Sequence, residues 1–389
     1  MSLSPRFLTF SFSYFAYFAI VGLVVPYLGV FLDGKGFNSG DIGELIAIFT
    51  ATKIIGPTLW ANAADKSGKL RFIIQLGAGL SLALFSLLFW VEGYWPIAFV
   101  LGIFSLFWTA IQPQLEVMTL VSVRRNANIY SRIRLWGSIG FIISVIIAGE
   151  LLVESHPDVF VTLGWSILLA LFISSLLLKQ PKINIKPNAQ RVSIFPKLIE
   201  RNFILFFVAG LLLQISFGPY YSFFALYLRD LSYPSMAIGA YIGLGAVAEI
   251  GIFIIAGRLY YLFGPKVLLA VSIFLTALRW YATGHWADSA IILFFVQLLH
   301  AASFGLYHTA SIQYLQQHFS IQEQNRAQAI YIAGVYGIGG ALGAFLSGIF
   351  WLDGEGSMLS FELAAITCLM AGGLACLMKP HKNSNAIST

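Results

Sequence analysis

Residues 7–32 read FLTFSFSYFAYFAIVGLVVPYLGVFL, a run without one charged side chain. An α-helix needs about 20 apolar residues to cross the hydrocarbon core of a bilayer, and this run supplies them. It is too long for the apolar segment of a cleaved signal peptide, residues 1–5 carry no positive charge, and Arg6 is the one basic residue before it. The expectation is a retained first membrane span. Eleven further runs qualify, so the expected spans are 7–32, 39–63, 70–91, 95–122, 132–152 and 159–178, then 202–228, 235–258, 266–284, 288–317, 326–350 and 358–378.

Composition agrees. Of 389 residues, 58% are hydrophobic and 10% charged, against about 25% charged in soluble domains. The fold class is an all-α membrane protein with the lipid bilayer as its solvent. Pro26, Pro57, Pro113 and Pro219 fall inside spans, which bundled membrane helices tolerate because neighbours satisfy the freed carbonyls. Residues 179–201 form the one long polar connection, with Pro181, Pro187 and Pro196. They read as a linker between an N-terminal half (1–178) and a C-terminal half (202–378), followed by a tail (379–389).

Lysine and arginine set the orientation. With the N-terminus in the cytoplasm, 19 of the 23 Lys and Arg fall at the cytoplasmic ends of the spans. Lys35 and Arg229 fall outside, and Lys53 and Arg279 fall within spans. The expectation is a multi-pass protein of the cell inner (plasma) membrane with linker and both termini cytoplasmic. The pI near 9.2 then reflects topology and is no sign of nucleic-acid binding. The two cysteines, Cys368 and Cys376, lie eight apart on one expected helix, about 12 Å along its axis, too far for a disulfide within the chain.

The halves repeat each other. Pro26-Tyr27 and Phe31 match Pro219-Tyr220 and Phe224; Ile42-Gly43 matches Ile238-Gly239; Gly68 matches Gly264; Gly137 and Gly140 match Gly337 and Gly340. The order is kept while the offset drifts from 193 to 200. Two six-helix halves in parallel repeat follow, an architecture that places a binding site between the halves near the midplane.

After span 2 the chain reads Ala64-Asp65-Lys66-Ser67-Gly68-Lys69. This resembles the D-x-x-G-[RK] core of the loop 2–3 motif of the major facilitator superfamily. Span 5 opens with Arg134-Leu135-Trp136-Gly137-Ser138-Ile139-Gly140-Phe141, span 8 carries Glu249 after Gly245-Ala246-Val247-Ala248, span 9 ends on Arg279-Trp280, and span 10 holds His300-Ala301-Ala302-Ser303-Phe304 and His308. In this order they resemble the 3-phenylpropionate permease-like branch, related to lactose permease-type proton symporters. The likeness runs from span 1 to span 12. The loop motif is general to the superfamily; the span 5, 8 and 10 set belongs to the branch.

Charge inside a membrane is costly and marks function by default. Lys53, Glu116 and Glu249 are the clear cases; Arg134 and Arg279 sit near span ends, where long side chains can snorkel. Lys53 and Glu249 each lie eleven residues beyond a matched Ile-Gly pair, so they occupy one depth in the two halves with opposite charge. Lys53 reads as the anchor of an anionic substrate and Glu249 as the proton carrier, the bland alternatives being a structural ion pair or a lone charge in a wet cavity. His300 could bond Glu249 or substrate, and titrates near neutrality. His308 lies two turns on, about 80° around a regular helix. A satisfied interhelical histidine is the bland reading of either.

The resemblance implies a coupling network of Glu249, Arg279 and His300. The relative's acid three residues after the histidine is here Ser303, which shifts weight onto Glu249. The resemblance also pairs Glu116 with Arg134 at the substrate, replaces a sugar-stacking tryptophan by Phe141, and gives Asp65, Gly68 and Lys69 a role in conformational switching. Arg134 could equally be a positive-inside anchor. Tyr14 joins the expected substrate contacts, with Lys53, Glu116, Arg134, Phe141 and His308.

There is no P-loop, H-E-x-x-H or C-x-x-C, so neither enzyme, metal site nor cofactor is expected. Without a nucleotide-binding domain, ATP is not the direct energy source. The expected function is proton-coupled symport, importing a small aromatic or hydrophobic carboxylate by alternating access, with the protein acting as a monomer. The alternatives are symport of a neutral sugar or nucleoside, and drug/proton antiport. A non-transporting receptor would need a large extramembrane domain, which this sequence does not contain.

Overall fold

The computed structural model describes residues 5–124, 126–152, 156–181, 193–320 and 322–379. Residues 182–192 of the expected linker and 380–389 of the expected tail lie outside them. The chain is helical almost throughout. The first half holds α1 (Pro5–Gly34), α2 (Ser39–Ser67), α3 (Leu70–Ser86), α4 (Tyr94–Ser122), α5 (Ala127–Leu152) and α6 (Asp158–Leu177). A short helix, Phe195–Leu198, precedes α7 (Arg201–Asp230). Next, α8 and α9 are the two arms of the Ser235–Trp286 element, and α10 (Ala290–His318), α11 (Gln324–Gly354) and α12 (Ser357–Leu377) complete the bundle. By length and apolarity eleven helices among the described residues can cross a membrane.

Eleven becomes twelve at Gly264. The sequence reading places a short connection between spans 8 and 9. Instead α8 stays helical as far as Gly264, where the chain turns with φ 70° and ψ 168°, and α9 begins directly behind it. Only glycine takes that conformation without steric cost, and Pro265 behind it begins the next arm with its φ already fixed. Two other helices bend where proline demands it. Pro113 leaves the carbonyl of Thr109 without its helical donor and crowds it, and α4 changes direction at Thr109-Ala110. Likewise α7 breaks at Phe217, two residues before Pro219.

The halves meet through α2 on α11, α5 on α8 and α1 on α7. Lipid offers no hydrophobic drive between helices, so close packing of small residues has to hold them. A Cβ placed on Gly43 would lie 2.6 Å from Gly348 Cα, and one on Gly149 would lie 2.8 Å from Gly239 Cα. Backbone therefore touches backbone at both crossings. Polar ties join the halves at the same end: Arg229 Nη1 to Asp33 Oδ2 at 2.7 Å, and Ser39 N to Asp353 Oδ1 at 2.7 Å. This end carries the α1–α2, α7–α8 and α11–α12 turns and is called the odd-loop end below. A cavity of about 50 Å³ lies inside this contact, lined by Asp33, Ser39, Arg229 and Asp353. It is far from the mid-depth charges and is read as part of the closure.

Candidate functional site

The repeat puts two charges at one station. Lys53 follows Ser39, the first residue of α2, by fourteen positions, and Glu249 follows Ser235, the first residue of α8, by fourteen. Each is about 21 Å along its helix, hence well inside a bilayer.

On the N-terminal half two cations bracket a row of aromatic rings. Lys53 Nζ lies 6.0 Å from the Phe49 centroid. Phe49 stacks on Trp108 at 5.7 Å, Trp108 on Tyr17 at 5.8 Å, and Tyr17 meets the edge of Phe18 at 5.3 Å. The Arg134 guanidinium caps the row, 3.9 Å from the Phe18 centroid and 5.9 Å from that of buried Tyr14. Neither Lys53 nor Arg134 has a carboxylate within 4.0 Å among the described residues.

The Glu116–Arg134 ion pair implied by the resemblance is not formed. Glu116 accepts a 2.9 Å hydrogen bond from the Tyr130 hydroxyl, one turn before Arg134 on α5, while Arg134 turns to the faces of Phe18 and Tyr14, where the ring quadrupole attracts a cation. Phe141 is half-buried two turns further along α5. Its backbone lies against α1, since a Cβ on Gly22 would fall 2.7 Å from Phe141 O.

On the C-terminal half Arg279 is wholly buried and does not snorkel. Its Nη1 lies 3.0 Å from His300 Nδ1 and its Nη2 donates to Gln297 Oε1 at 3.1 Å. Tyr220 and Trp280 place their rings 4.4 and 4.5 Å from the guanidinium. Guanidinium only donates, so His300 Nδ1 accepts and the ring proton sits on Nε2. That nitrogen faces Glu249 Oε2 at 3.9 Å. The resulting order is Arg279, His300, Glu249. Glycines make room for it: a Cβ on Gly245 would press on His300 at 3.1 Å, and one on Gly305 would approach Glu249 Cγ at 3.0 Å.

Regular pitch would part His300 and His308 by about 80°. The structure aligns them instead, because residues Ala301–Leu306 wind as a π-helix, whose wider turn advances less around the axis per residue. His300, Phe304 and His308 stand in one row, with centroids 5.8 and 6.2 Å apart and planes inclined by 2° and 7°. A second π segment, Ile332–Gly339 on α11, carries Tyr336, whose hydroxyl is 3.4 Å from His308 Nδ1. Such segments cluster at functional sites.

Sequence reasoning missed Gln297, Tyr130, Phe304 and Tyr336. Gln297 stands three residues before His300, a spacing that shares a helix face and could have been found. The other three depend on π winding or on where an acid finds its partner.

Asp65, Gly68 and Lys69, which the resemblance links to switching, lie apart from this constellation. Gly68 caps α2 with φ 64° and bonds Ala64 O at 2.8 Å; Gln180 Nε2 donates to Gly68 O at 2.8 Å. Asp65 and Lys69 flank it at the same end of α2. Among the described residues no group of three or more His, Cys, Asp or Glu could hold a metal ion.

Comparison with known proteins gives this arrangement its context. Residues 7–363 match the MFS_1 like family. The chain is 28% identical to the "Probable 3-phenylpropionic acid transporter" of Escherichia coli (strain K12), over 87% of this chain and 92% of that protein. It is 29% identical to the "Maltose permease" of Geobacillus stearothermophilus, over 88% and 86%. The crystal structure of a point mutant of the nucleoside transporter NupG superposes with a TM-score of 0.88 at 15% identity, covering 97% of this chain and 100% of that one. A twelve-span bundle of two repeated halves, with unpaired charge at mid-depth and a family match over nearly its whole length, is a transporter and not an enzyme: the chain belongs to the MFS_1-like family of the major facilitator superfamily.

Proposed function

We propose that the protein imports an aromatic or hydrophobic carboxylate together with protons. The observation that carries this reading is the division of charge between the halves. Among the described residues, the N-terminal half offers two cations without carboxylate partners, each over an aromatic face. The C-terminal half offers one carboxylate, Glu249, joined through His300 to a buried arginine. An unpaired ammonium or guanidinium is the complement of a carboxylate. The name printed for the Escherichia coli relative, a transporter of 3-phenylpropionic acid, fits the same chemistry.

Glu249 is the proton carrier in this account. It stands on α8, a helix that packs on α5 of the other half. Rocking the halves changes what surrounds its carboxyl, so the proton equilibrium and the conformation are coupled. Lysine and arginine asymmetry puts the odd-loop end outside and both termini inside. Because the ties between halves gather at that end, the conformation described is the one closed to the outside.

The test is uptake by proteoliposomes holding the purified protein under an imposed inward proton gradient. Accumulation of 3-phenylpropionate above equilibrium, abolished by a protonophore, is the expected result. Accumulation of maltose or uridine but no carboxylate would replace this reading with symport of a neutral sugar or nucleoside.

A further inference from the structure

We propose that Phe304 is the surface on which the ring of the substrate stacks, so that this residue sets preference for aromatic over aliphatic carboxylates. The proposal rests on the carboxylate reading above and adds where the apolar end of the molecule goes.

Phe304 is a phenylalanine without the usual surroundings of one. It is half-buried at mid-depth, yet it is not packed against the hydrophobic core of the bundle, unlike Phe141, Phe172 and Phe207, which are also half-buried. Its ring neighbours are two imidazoles, His300 and His308. Other aromatics of this half form closed clusters: Phe217, Tyr220 and Trp280 around Arg279, and Phe223, Trp351 and Phe361 nearer the odd-loop end. A lipid-facing position does not explain it either. The flanking rings make polar contacts, His300 with Arg279 and Glu249, and His308 with Tyr336. This is the polar face of α10, which looks toward α8 and α11.

The row exists only because the helix departs from regular winding there. A π turn has poorer hydrogen-bond geometry than the α-helix it replaces and persists where function maintains it. Its effect is to bring three near-parallel rings into line, with an apolar ring between two that can bond water or substrate. The anion anchors stand on the opposite half. A carboxylate held there points its hydrocarbon end toward the C-terminal half, and Phe304 is the apolar step in an otherwise polar row. Offset stacking of arenes adds affinity beyond area alone, and an aliphatic chain gains the area without the stacking.

The experiment compares two probes, 3-phenylpropionate and hexanoate, by equilibrium binding to the purified full-length protein, for wild type, Phe304→Leu and Phe304→Trp. Phe304→Leu is expected to weaken 3-phenylpropionate about tenfold while hexanoate changes less than about twofold; Phe304→Trp is expected to keep the aromatic preference. Equal loss for both probes in Phe304→Leu, or no loss, overturns the proposal. Should the leucine variant fail to fold, the tryptophan variant decides: loss of aromatic preference there overturns the proposal as well. Wild type that binds neither probe sinks the carboxylate reading and Phe304 with it, an outcome distinct from wild type that binds both while Phe304→Leu leaves their ratio unchanged.

Discussion

Ser39 and Asp353 hold each other across the two halves by a reciprocal pair of hydrogen bonds, Ser39 N to Asp353 Oδ1 at 2.7 Å and Asp353 N to Ser39 Oγ at 3.1 Å. The aspartate thereby satisfies a free amide in the first turn of α2, the task normally done by a residue of the same helix. It does so from a strained loop. Leu352, Asp353 and Gly354 have φ of 49°, 52° and 104°, and each non-glycine residue in that region costs about 1–2 kcal/mol. Asp353→Ala is expected to loosen the odd-loop end. A cysteine at Ile42, buried beside the clasp, in a background without Cys368 and Cys376, should then react with an impermeant maleimide about fivefold faster, given roughly 1 kcal/mol for the one side-chain hydrogen bond lost. An unchanged rate would show that the clasp does not hold the closure. Leu352 is 57% exposed, so Leu352→Gly should relieve strain with little packing lost and stabilise the protein by about 0.5–1 kcal/mol.

A second tie fastens the linker helix to the α10–α11 turn. Glu323 Oε2 lies 2.6 Å from Lys197 Nζ and accepts from Ser320 N and Oγ at 2.8 and 2.7 Å. These bonds favour the charged carboxylate and hold Glu323 down to about 2, from an ordinary 4.5. A depressed folded value means the charged form stabilises the fold. The contribution is complete above about pH 4.5, declines as the pH falls toward 2, and is gone below it. Glu323→Gln should therefore melt at a lower temperature than wild type at pH 7, with the gap narrowing only below about pH 4.5. A gap constant from neutral pH down to about pH 3 contradicts the assignment.

Lys53 is expected to bind the anion. Lys53→Met should weaken 3-phenylpropionate by about tenfold or more, the scale of one charged hydrogen bond, with the melting temperature preserved because no ion pair is broken. Lys53→Arg should retain part of the affinity, since its charge is kept while its geometry is a fork in place of a point. Unaltered affinity in Lys53→Met removes it from the site.

Much of this was legible beforehand, and what was not has physical causes. Twelve spans follow from hydropathy because lipid leaves the backbone no alternative to helices. Lys53 and Glu249 fell at one station because the repeat keeps its register in α2 and α8. Local winding is invisible: no residue pattern announces the π turn at Ala301–Leu306, so regular pitch sets His308 about 80° away from the row it shares with His300. Glu116 and Arg134 have the spacing of a pair, yet Tyr130 and Phe18 offer each a nearer partner. The strained clasp at Asp353 joins residues 314 positions apart, beyond the reach of any local rule.

Orientation is tested by single cysteines at Ser67 and Ser232, which stand at opposite ends of the bundle, after α2 and between α7 and α8. With intact cells and an impermeant thiol reagent, Ser232→Cys is expected to label and Ser67→Cys to label only after lysis. The reverse pattern inverts the topology.

Glu249 is where proton, substrate and conformation meet in this account, and Glu249→Gln isolates the proton. The amide mimics the protonated carboxyl and cannot release it. One reconstituted variant is measured twice, for uphill uptake of 3-phenylpropionate driven by a proton gradient and for exchange of 3-phenylpropionate at equilibrium. The account predicts that uphill uptake disappears while exchange stays within a few-fold of wild type, because exchange needs no proton release. Uphill uptake near the wild-type level would contradict it and pass the carrier's role to His300 or His308; loss of both activities together with binding would move Glu249 to the substrate site.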